Sequence, residues 1–369
     1  MEDIKNISDE LLSVLNKNKE SIIRINSEET GYDLHDIELL WGDLENYLLN
    51  CHALYDKSTQ LWSQNNTLYQ TWEESSKHLR LPWGKVLVCT PSNSIIPLLP
   101  IIISSFCSVG NQLIVAPSRK VLKTTELILN HIQPILTQNN WKITLFKGGG
   151  RAALDEFIEK SKIDLLYFQG SSRNRVNVYT RCISNGIDII FEGEGNQVTI
   201  IDEIPASQSI TAVAETIRNA KMFCKGQLCT SPNVVFIHKN IATPLIVEYK
   251  KLATDCNYYK MEEIKSLINS ESFSPVLNFA EYSNLEEVID LLKSNYRYGL
   301  QISIFGNRTD RLEKCLLSEI HFSRLTINMN PTIQNSLLPW GGYKKSGYSP
   351  VVNFFEKATK KIIIEYGQS

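Results

Sequence analysis

One of the eight cysteines in this chain stands among small and amide residues, and it is the clearest candidate for chemistry. Cys229 follows Gly226 and Gln227 and precedes Thr230, whereas most of the other cysteines lie in apolar runs. A thiol attacks carbon as a thiolate, which forms where nearby dipoles or cations lower its pKa. Because its neighbours leave it approachable, we predict that Cys229 is a nucleophile; the alternative is a buried structural thiol.

The elements that must position this cysteine alternate between two types. Apolar, β-branched runs predict strands and the 3.6-residue spacing of leucines predicts helices. An N-terminal helical region is expected over 8–60 and a buried helix over Ser94–Val109. Before Cys229 the predicted strands are Lys85–Cys89, Gln112–Val115, Lys142–Phe146 and Asp164–Phe168, and the helices between them are Lys120–Leu136 and Ala152–Ser161. Such alternation favours a parallel sheet with helices on its faces.

A second alternating block follows Cys229. Its predicted strands are Val234–Ile237, Pro275–Phe279 and Ser303–Phe305, and its predicted helices are Pro244–Ala253 and Leu285–Asn295. The β-branched tail Lys361–Tyr366 predicts an exposed strand that pairs with another subunit.

Length, net charge and cysteine spacing limit the classes of protein to which this chain can belong. A chain of 369 residues is long enough for about two domains. A net charge of −2 gives no reason to expect nucleic acid or an anionic membrane as a partner. The N-terminus lacks a signal-peptide pattern, and the apolar stretch Ser94–Val109 is shorter than a membrane span requires. No cysteine spacing resembles a metal site, so we expect reduced thiols, no metal and a cytoplasmic protein.

Five further motifs stand in a fixed order around Cys229. They occupy 81–93 (Leu-Pro-Trp-Gly-Lys-Val to Thr-Pro-Ser-Asn), 110–118, 168–171, 271–276 (Glu-Ser-Phe-Ser-Pro-Val) and 339–347 (Pro-Trp-Gly-Gly-Tyr-Lys-Lys-Ser-Gly). In this order around Gly-Gln-Leu-Cys they resemble the aldehyde dehydrogenase superfamily, from about residue 80 to the C-terminus.

The resemblance implies an α/β fold of two domains. We expect a Rossmann-type parallel sheet in a cofactor-binding domain over 1–205, with a β-arm segment near 66–83. A smaller α/β catalytic domain over 206–348 would carry Cys229, and an oligomerisation tail over 349–369 would supply a strand for a homodimer.

The resemblance also implies catalytic roles. Cys229 would attack a carbonyl carbon, and the side-chain amide of Asn93 with the backbone N–H of Cys229 would stabilise the oxyanion. Glu192 would activate the water that releases an acid from the thioester. The loop after Glu192 departs from the family pattern because it carries Glu194 and has Asn196 in place of a lysine. Glu194 is therefore an alternative base, and two solvated loop acids are the second alternative.

For the cofactor, NADP or NAD, the resemblance implies two groups of residues. Ser118, Arg119, Gly170 and Ser171 would lie along the dinucleotide, while Glu271 would hold the nicotinamide ribose and Phe273 would lie near the ring. A glycine-rich turn at 148–153 fits a phosphate loop between a strand and a helix.

Arg119 departs from the family pattern in a way that bears on the cofactor. It stands where an acid often binds the adenosine ribose, and an arginine removes a repulsion and can clamp a 2′-phosphate. This favours NADP(H) over NAD(H); the alternative is a surface arginine.

Glu271 follows Cys229 much more closely than in typical family members, and the trimmed part usually lies near the substrate entrance. Three functions stay open. The first is NAD(P)-dependent oxidation of an aldehyde to a carboxylate. The second is reduction of an acyl thioester, on coenzyme A or a carrier protein, to an aldehyde with NADPH. The third is an inactive member that binds a nucleotide or a partner protein.

Overall fold

The computed structural model describes residues 2–60, 76–160, 162–307, 309–348 and 350–365. Its helices are α1 (Glu2–Lys17), α2 (Lys19–Thr30), α3 (Leu34–Gln60), α4 (Ile95–Ser108), α5 (Leu122–Gln138), α6 (Gly150–Phe157), α7 (Arg175–Ser184), α8 (Ile210–Met222), α9 (Lys239–Leu252), α10 (Leu285–Asn295), α11 (Thr309–Glu319) and α12 (Phe354–Lys357).

The strands are β1 (Ser76–Pro82), β2 (Lys85–Thr90), β3 (Gln112–Pro117), β4 (Ile143–Leu145), β5 (Leu165–Gln169), β6 (Asp188–Glu192), β7 (Gln197–Ile201), β8 (Pro232–His238), β9 (Cys256–Tyr259), β10 (Leu277–Tyr282), β11 (Tyr298–Gly299), β12 (Gln301–Phe305), β13 (Arg324–Ile327), β14 (Tyr343–Lys344) and β15 (Thr359–Glu365).

The chain divides into two compact units between Phe191 and Glu192. Unit 1 contains the described residues of 1–191, 335–340 and 352–369, and unit 2 contains those of 192–334 and 341–351. The domain limits at 205 and 348 stay a prediction.

Unit 1 begins with three helices, which confirm the helical region predicted over 8–60. Leu11 and Leu15 of α1 are one turn apart on one face, and both are buried. Helix α3 buries Trp41, Leu44 and Tyr47 in the same way. Apolar side chains at this spacing form one continuous stripe, so each helix can pack its stripe against another helix.

The five-stranded sheet of unit 1 has the order β4-β3-β2-β5-β6. Strand β2 pairs in parallel with β3 and β5, and β3 pairs in parallel with β4. Consecutive residues Val86, Leu87 and Val88 of β2 are all buried, so both faces of the strand are covered. Along the chain, β3 and β4 are added on one side of β2, and β5 and β6 are then added on the other side. The topological switch point therefore lies between β2 and β5, where doubly wound sheets bind ligands at the carboxyl ends of their strands.

Helix α4 confirms the buried helix predicted over Ser94–Val109. It has 14 residues, and every residue from Ile95 to Cys107 is buried. Pro97 lies in its first turn, where a missing N–H costs little, whereas Pro100 lies in the helix interior. Among the described residues, no helix combines the length and the apolar character that crossing a membrane requires.

Unit 2 contains a six-stranded sheet of order β13-β12-β7-β8-β10-β9, in which every pairing is parallel. Side chains alternate along β8 between two cores. Val234 and Phe236 belong to a cluster with α10 and α11, whereas Val235 and Ile237 belong to a cluster with α8 and α9. The sheet is thus covered by helices on both faces, which confirms the predicted α/β fold.

The predicted strands and helices are found with ends shifted by a few residues. Strands β6 and β7 were not predicted, and the residues of β7 were interpreted as part of a motif over 192–201. Helices α7, α8 and α11 and strands β9 and β13 were also missed.

The C-terminal strand β15 pairs antiparallel with β1 of the same chain, from Pro82 with Thr359 to Ser76 with Glu365. These two strands form a separate sheet, and each has one strand neighbour among the described residues. The predicted strand is present, and its pairing with another subunit stays a prediction. Of the predicted segments, 66–75 of the β-arm, Ser349, Tyr366 and the last three residues lie outside the described residues.

Candidate active site

The loop that carries Cys229 begins with a left-handed turn. After α8, the residues Cys224, Lys225 and Gly226 have φ values of 50°, 55° and 69°. Each non-glycine residue in this region costs about 1–2 kcal/mol, so packing must hold the turn in place. At Gly226 an added Cβ would lie 2.3 Å from the carbonyl oxygen of Ser274, and only glycine fits there. The turn places Cys229 just before the amino end of β8.

The thiol of Cys229 is electrostatically linked to two carboxylates. Burial raises the pKa of the Cys229 thiol to about 12, and the negative charges of Glu271 and Glu192 add to the effect. Backbone N–H groups of Cys229 and Thr230 act in the opposite direction but are outweighed. The low-pKa thiolate expected of a nucleophile is therefore not the resting form, and a neighbouring group must take the proton during attack.

The loop that follows β6 runs along the backbone of Cys229. Glu192 ends β6 and is 6% exposed, and the N–H of Gly193 donates to the carbonyl of Ser346 at 3.0 Å. At Gly195 an added Cβ would lie 1.8 Å from the carbonyl oxygen of Cys229. Any other residue would collide there, so Gly195 allows the two backbones to approach.

Glu271, which comes after Cys229 in the chain, is hydrogen-bonded to the same loop. Its Oε1 accepts a hydrogen bond from the N–H of Gly195 at 2.7 Å. Burial raises the pKa of the Glu271 carboxyl to about 8; the bond from Gly195 lowers it, and the charge of Glu194 raises it. The structure thus brings together Cys229, Glu192 and Glu271, with Glu194 acting on Glu271.

All these residues precede strands of the unit 2 sheet. Glu194 comes before β7, Cys229 before β8 and Glu271 before β10. Since these strands are parallel and adjacent, their amino ends meet at one edge, and the cluster forms at that edge.

Two functional candidates at this edge were not predicted. Asn233 lies in β8 and donates to the carbonyls of Leu267 and Ser270, close to Glu271 in the chain. The hydroxyl of Tyr298 accepts a hydrogen bond from the N–H of Glu271 at 3.2 Å. Asn233 stands immediately before the apolar run Val234–Ile237, and a polar residue at that place was a usable signal. Tyr298 offered no such signal because its contact is distant in sequence.

Unit 1 holds five of the other predicted site residues, and all five follow strands of its own sheet. Asn93 follows β2, Ser118 and Arg119 follow β3, and Gly170 and Ser171 follow β5. They lie at the carboxyl edge, and those after β2 and β5 flank the switch point. The hydroxyls of Ser118 and Ser171 each accept a hydrogen bond from a backbone N–H two residues further on. The use of Asn93 together with Cys229 stays a prediction.

Arg119 is fixed to the glycine-rich turn between β4 and α6. Its Nη2 donates to the carbonyl of Gly148 at 2.9 Å. Gly149 has φ 80°, and an added Cβ would lie 3.2 Å from Nε of Arg119. The positive φ therefore favours glycine at this turn, and an added Cβ would require the Arg119 side chain to shift.

Phe273 is 52% exposed and lies two residues beyond Glu271. Its place near a nicotinamide ring stays a prediction.

Known proteins share this fold and sequence pattern. The family model described as the aldehyde dehydrogenase family matches residues 1–263 and 258–362. A lactaldehyde dehydrogenase from Methanococcus maripaludis is 22% identical over 320 residues, covering 72% of this chain and 67% of the relative.

Two solved structures superpose closely on the chain. A glyceraldehyde-3-phosphate dehydrogenase GapN from Methanocaldococcus jannaschii, complexed with NADP, has a TM-score of 0.79 and 19% identity, covering 98% of this chain and 89% of its own. An NAD-dependent aldehyde dehydrogenase from Sinorhizobium meliloti has a TM-score of 0.79 and 16% identity, covering 100% of this chain and 83% of its own. At these identities the likeness concerns the fold. Since the family model spans almost the whole sequence, the chain belongs to the aldehyde dehydrogenase family.

Proposed function

We propose that the protein is an NAD(P)-dependent aldehyde dehydrogenase that oxidises an aldehyde to a carboxylate through Cys229. The observation that carries this proposal is the cluster of Cys229, Glu192 and Glu271 around Gly195 in unit 2. Family membership supports the same reaction class, as do the printed names of relatives that act on aldehydes.

In the proposed reaction, Sγ of Cys229 attacks the aldehyde carbon while its proton passes to the Glu192 carboxylate. The C–S bond forms, the carbonyl electron pair moves to oxygen, and the backbone N–H of Cys229 is a donor for that oxyanion. A bound oxidised nicotinamide cofactor would supply the hydride acceptor that converts this adduct into a thioester on Cys229.

Water then completes the proposed cycle. After Glu192 has released the thiol proton to solvent, its carboxylate takes a proton from the water as the water oxygen attacks the thioester carbon. The C–S bond then breaks to release the acid, and the proton on Glu192 returns to Sγ of Cys229. Glu192 is preferred to Glu194 as the base because its charge acts on the Cys229 thiol, whereas Glu194 acts on Glu271.

The described residues of unit 1 fit a dinucleotide. Hydroxyls, a glycine turn and a fixed guanidinium gather at the carboxyl edge of a doubly wound sheet. Ser118, Arg119, Gly170 and Ser171 would hold the cofactor there, and Glu271 and Phe273 are the proposed groups on the nicotinamide side.

We further propose that NADP(H) is preferred, because Arg119 is exposed and is held by Gly148 where a 2′-phosphate could be bound. Arg119→Glu should lower the NADP over NAD preference in kcat/KM about tenfold or more. Lys142→Glu, at the amino end of β4, reverses a charge at the other edge of the sheet and serves as the control. An unchanged preference in Arg119→Glu would refute the assignment.

A coupled pair of assays tests the function itself. Purified protein should form reduced cofactor from NADP with a panel of aldehydes. Consumption of NADPH only with an acyl thioester, on coenzyme A or a carrier protein, would instead select the reductase. No turnover in either direction, with Cys229 inert to iodoacetamide, would leave a binding protein.

The proposal includes a cytoplasmic homodimer. All eight cysteines are free thiols, which favours a reducing compartment. The two-stranded sheet of β1 and β15 offers edges on which a second copy could pair.

A further inference from the structure

The short segment Leu267–Glu271, here called the Glu271 segment, is held by side chains from several strands. Its carbonyls at Leu267, Asn269 and Ser270 each accept at least one side-chain hydrogen bond. The segment lies in the stretch between Cys229 and Glu271, and these bonds hold its backbone in place.

Asn233 ties the segment to the strand that leaves the Cys229 loop. The residue is 2% exposed, and its Nδ2 donates to Leu267 at 3.0 Å and to Ser270 at 3.1 Å. The same amide group donates to Oδ1 of Asn196 at 2.8 Å, and its Oδ1 accepts from Asn278 at 3.2 Å. The buried amide is satisfied from both ends, which fixes its orientation.

Tyr298 holds the segment from β11. Its hydroxyl, on a side chain that is almost fully buried, accepts from the N–H of Glu271 at 3.2 Å and donates to the carbonyl of Asn269 at 3.3 Å. Burial raises the pKa of this hydroxyl, and the negative charge of Glu194 also acts on it and raises its pKa. Lys345 adds a donor to Asn269 at 3.4 Å and lies 5.1 Å over the Tyr298 ring.

The contacts of the Glu271 segment extend to the backbone of Cys229. With its backbone fixed, Glu271 places Oε1 on the N–H of Gly195, whose Cα is packed against the carbonyl of Cys229. The distance between the Glu271 charge and the thiol therefore depends on how firmly the segment is held.

We propose that Asn233 and Tyr298 are positioning residues that act through Glu271 to set the reactivity of Cys229 in the proposed dehydrogenase reaction. This inference rests on the proposed function for its meaning in catalysis, but its test does not require turnover.

The test measures how fast iodoacetamide alkylates Cys229, read by mass on the Cys229 peptide. At pH 9 the Glu271 carboxyl, with a pKa of about 8, is largely ionised and hinders formation of the thiolate. Tyr298→Phe releases the segment, so alkylation should become about threefold or more faster, because a lower thiol pKa raises the thiolate fraction more than it weakens the nucleophile. The difference should shrink at pH 7, where the carboxyl is largely protonated.

Tyr282→Phe is the matched control. Tyr282 is equally buried in unit 2, and its hydroxyl donates to Asp202 at 2.7 Å, away from the Glu271 segment. It should leave the alkylation rate unchanged. Asn233→Ser should give the same acceleration as Tyr298→Phe, which keeps the test decisive if one variant fails to fold.

The Glu271→Gln background distinguishes an effect that acts through the Glu271 charge from a general loosening of the site. Tyr298→Phe should add no acceleration in the Glu271→Gln background, because the charge through which it acts is gone. Equal rates in Tyr298→Phe, Tyr282→Phe and the unaltered protein, or an undiminished effect in the double variant, would overturn the inference. Failure of aldehyde turnover in the unaltered protein would refute the proposed function alone.

Discussion

At the scale of single residues, the Cys229 thiol is surrounded by negative rather than positive charge. Burial and the carboxylates of Glu271 and Glu192 favour the protonated thiol. Proton removal and carbon attack are therefore expected to be coupled, with Glu192 as the acceptor. A resting thiol of this kind is protected from oxidation, since susceptibility follows thiolate character.

Glu271 should make stability fall as pH rises. Its folded-state pKa of about 8 exceeds its ordinary value of 4.5, so between these values the unfolded chain releases a proton that the folded chain keeps. Glu271→Gln removes this penalty while still accepting a bond from Gly195. Its gain in Tm over the unaltered protein should be about 3 °C or more larger at pH 8 than at pH 5 in a thermal unfolding scan.

Glu262→Gln, at an exposed carboxyl of the same unit, controls for the change in net charge. The assignment of a retained proton to Glu271 is wrong if both variants show the same pH dependence of Tm.

At the scale of elements, the amino ends of parallel strands bring together residues that are far apart in sequence. Apolar, β-branched runs predicted strands such as β2, β3 and β8 correctly because strand formation depends in part on local pattern. Cys229 was recognised from its small neighbours, and Glu192 and Glu271 from their motifs. The contacts of Asn233 and Tyr298 with the Glu271 segment depend on which strands become neighbours, and no local pattern contains that information.

A substitution at Gly195 tests whether catalysis needs the close approach of its loop to the loop that carries Cys229. Gly195→Ala would place a Cβ against the Cys229 carbonyl, so the loop must shift, and displacement of a reacting group by about 1 Å costs about a hundredfold in rate. We expect at least that loss in kcat/KM for aldehyde oxidation.

Gly306→Ala is the control, because an added Cβ there meets its nearest atom at 3.8 Å. Activity of Gly195→Ala close to that of Gly306→Ala would show that the close approach is not needed for catalysis.

At the scale of the whole molecule, the chain keeps both α/β units of a family whose compared solved structures are longer. Cys229 and Glu271 both precede strands of the unit 2 sheet and lie at one edge of it.

The proposed homodimer predicts that a charge introduced on β15 disrupts the dimer interface. Ile363 of β15 is 63% exposed in the single chain, and a second copy pairing on this sheet would cover it. Ile363→Lys should convert a dimer into a monomer in light scattering after size exclusion, because a buried unpaired charge is costly. Leu317→Lys, at a 61% exposed leucine on α11, should leave the dimer intact. A monomer at micromolar concentration in the unaltered protein would exclude this assembly.

The most direct measurement compares the rate of reduced-cofactor formation from an aldehyde in Cys229→Ser and Cys315→Ser. Both cysteines are partly exposed thiols of unit 2, so the same atom is exchanged in each variant. The account predicts that Cys229→Ser loses activity by about a thousandfold or more, since its less acidic hydroxyl cannot replace the thiol nucleophile, while Cys315→Ser keeps it. Undiminished turnover in Cys229→Ser would contradict the account.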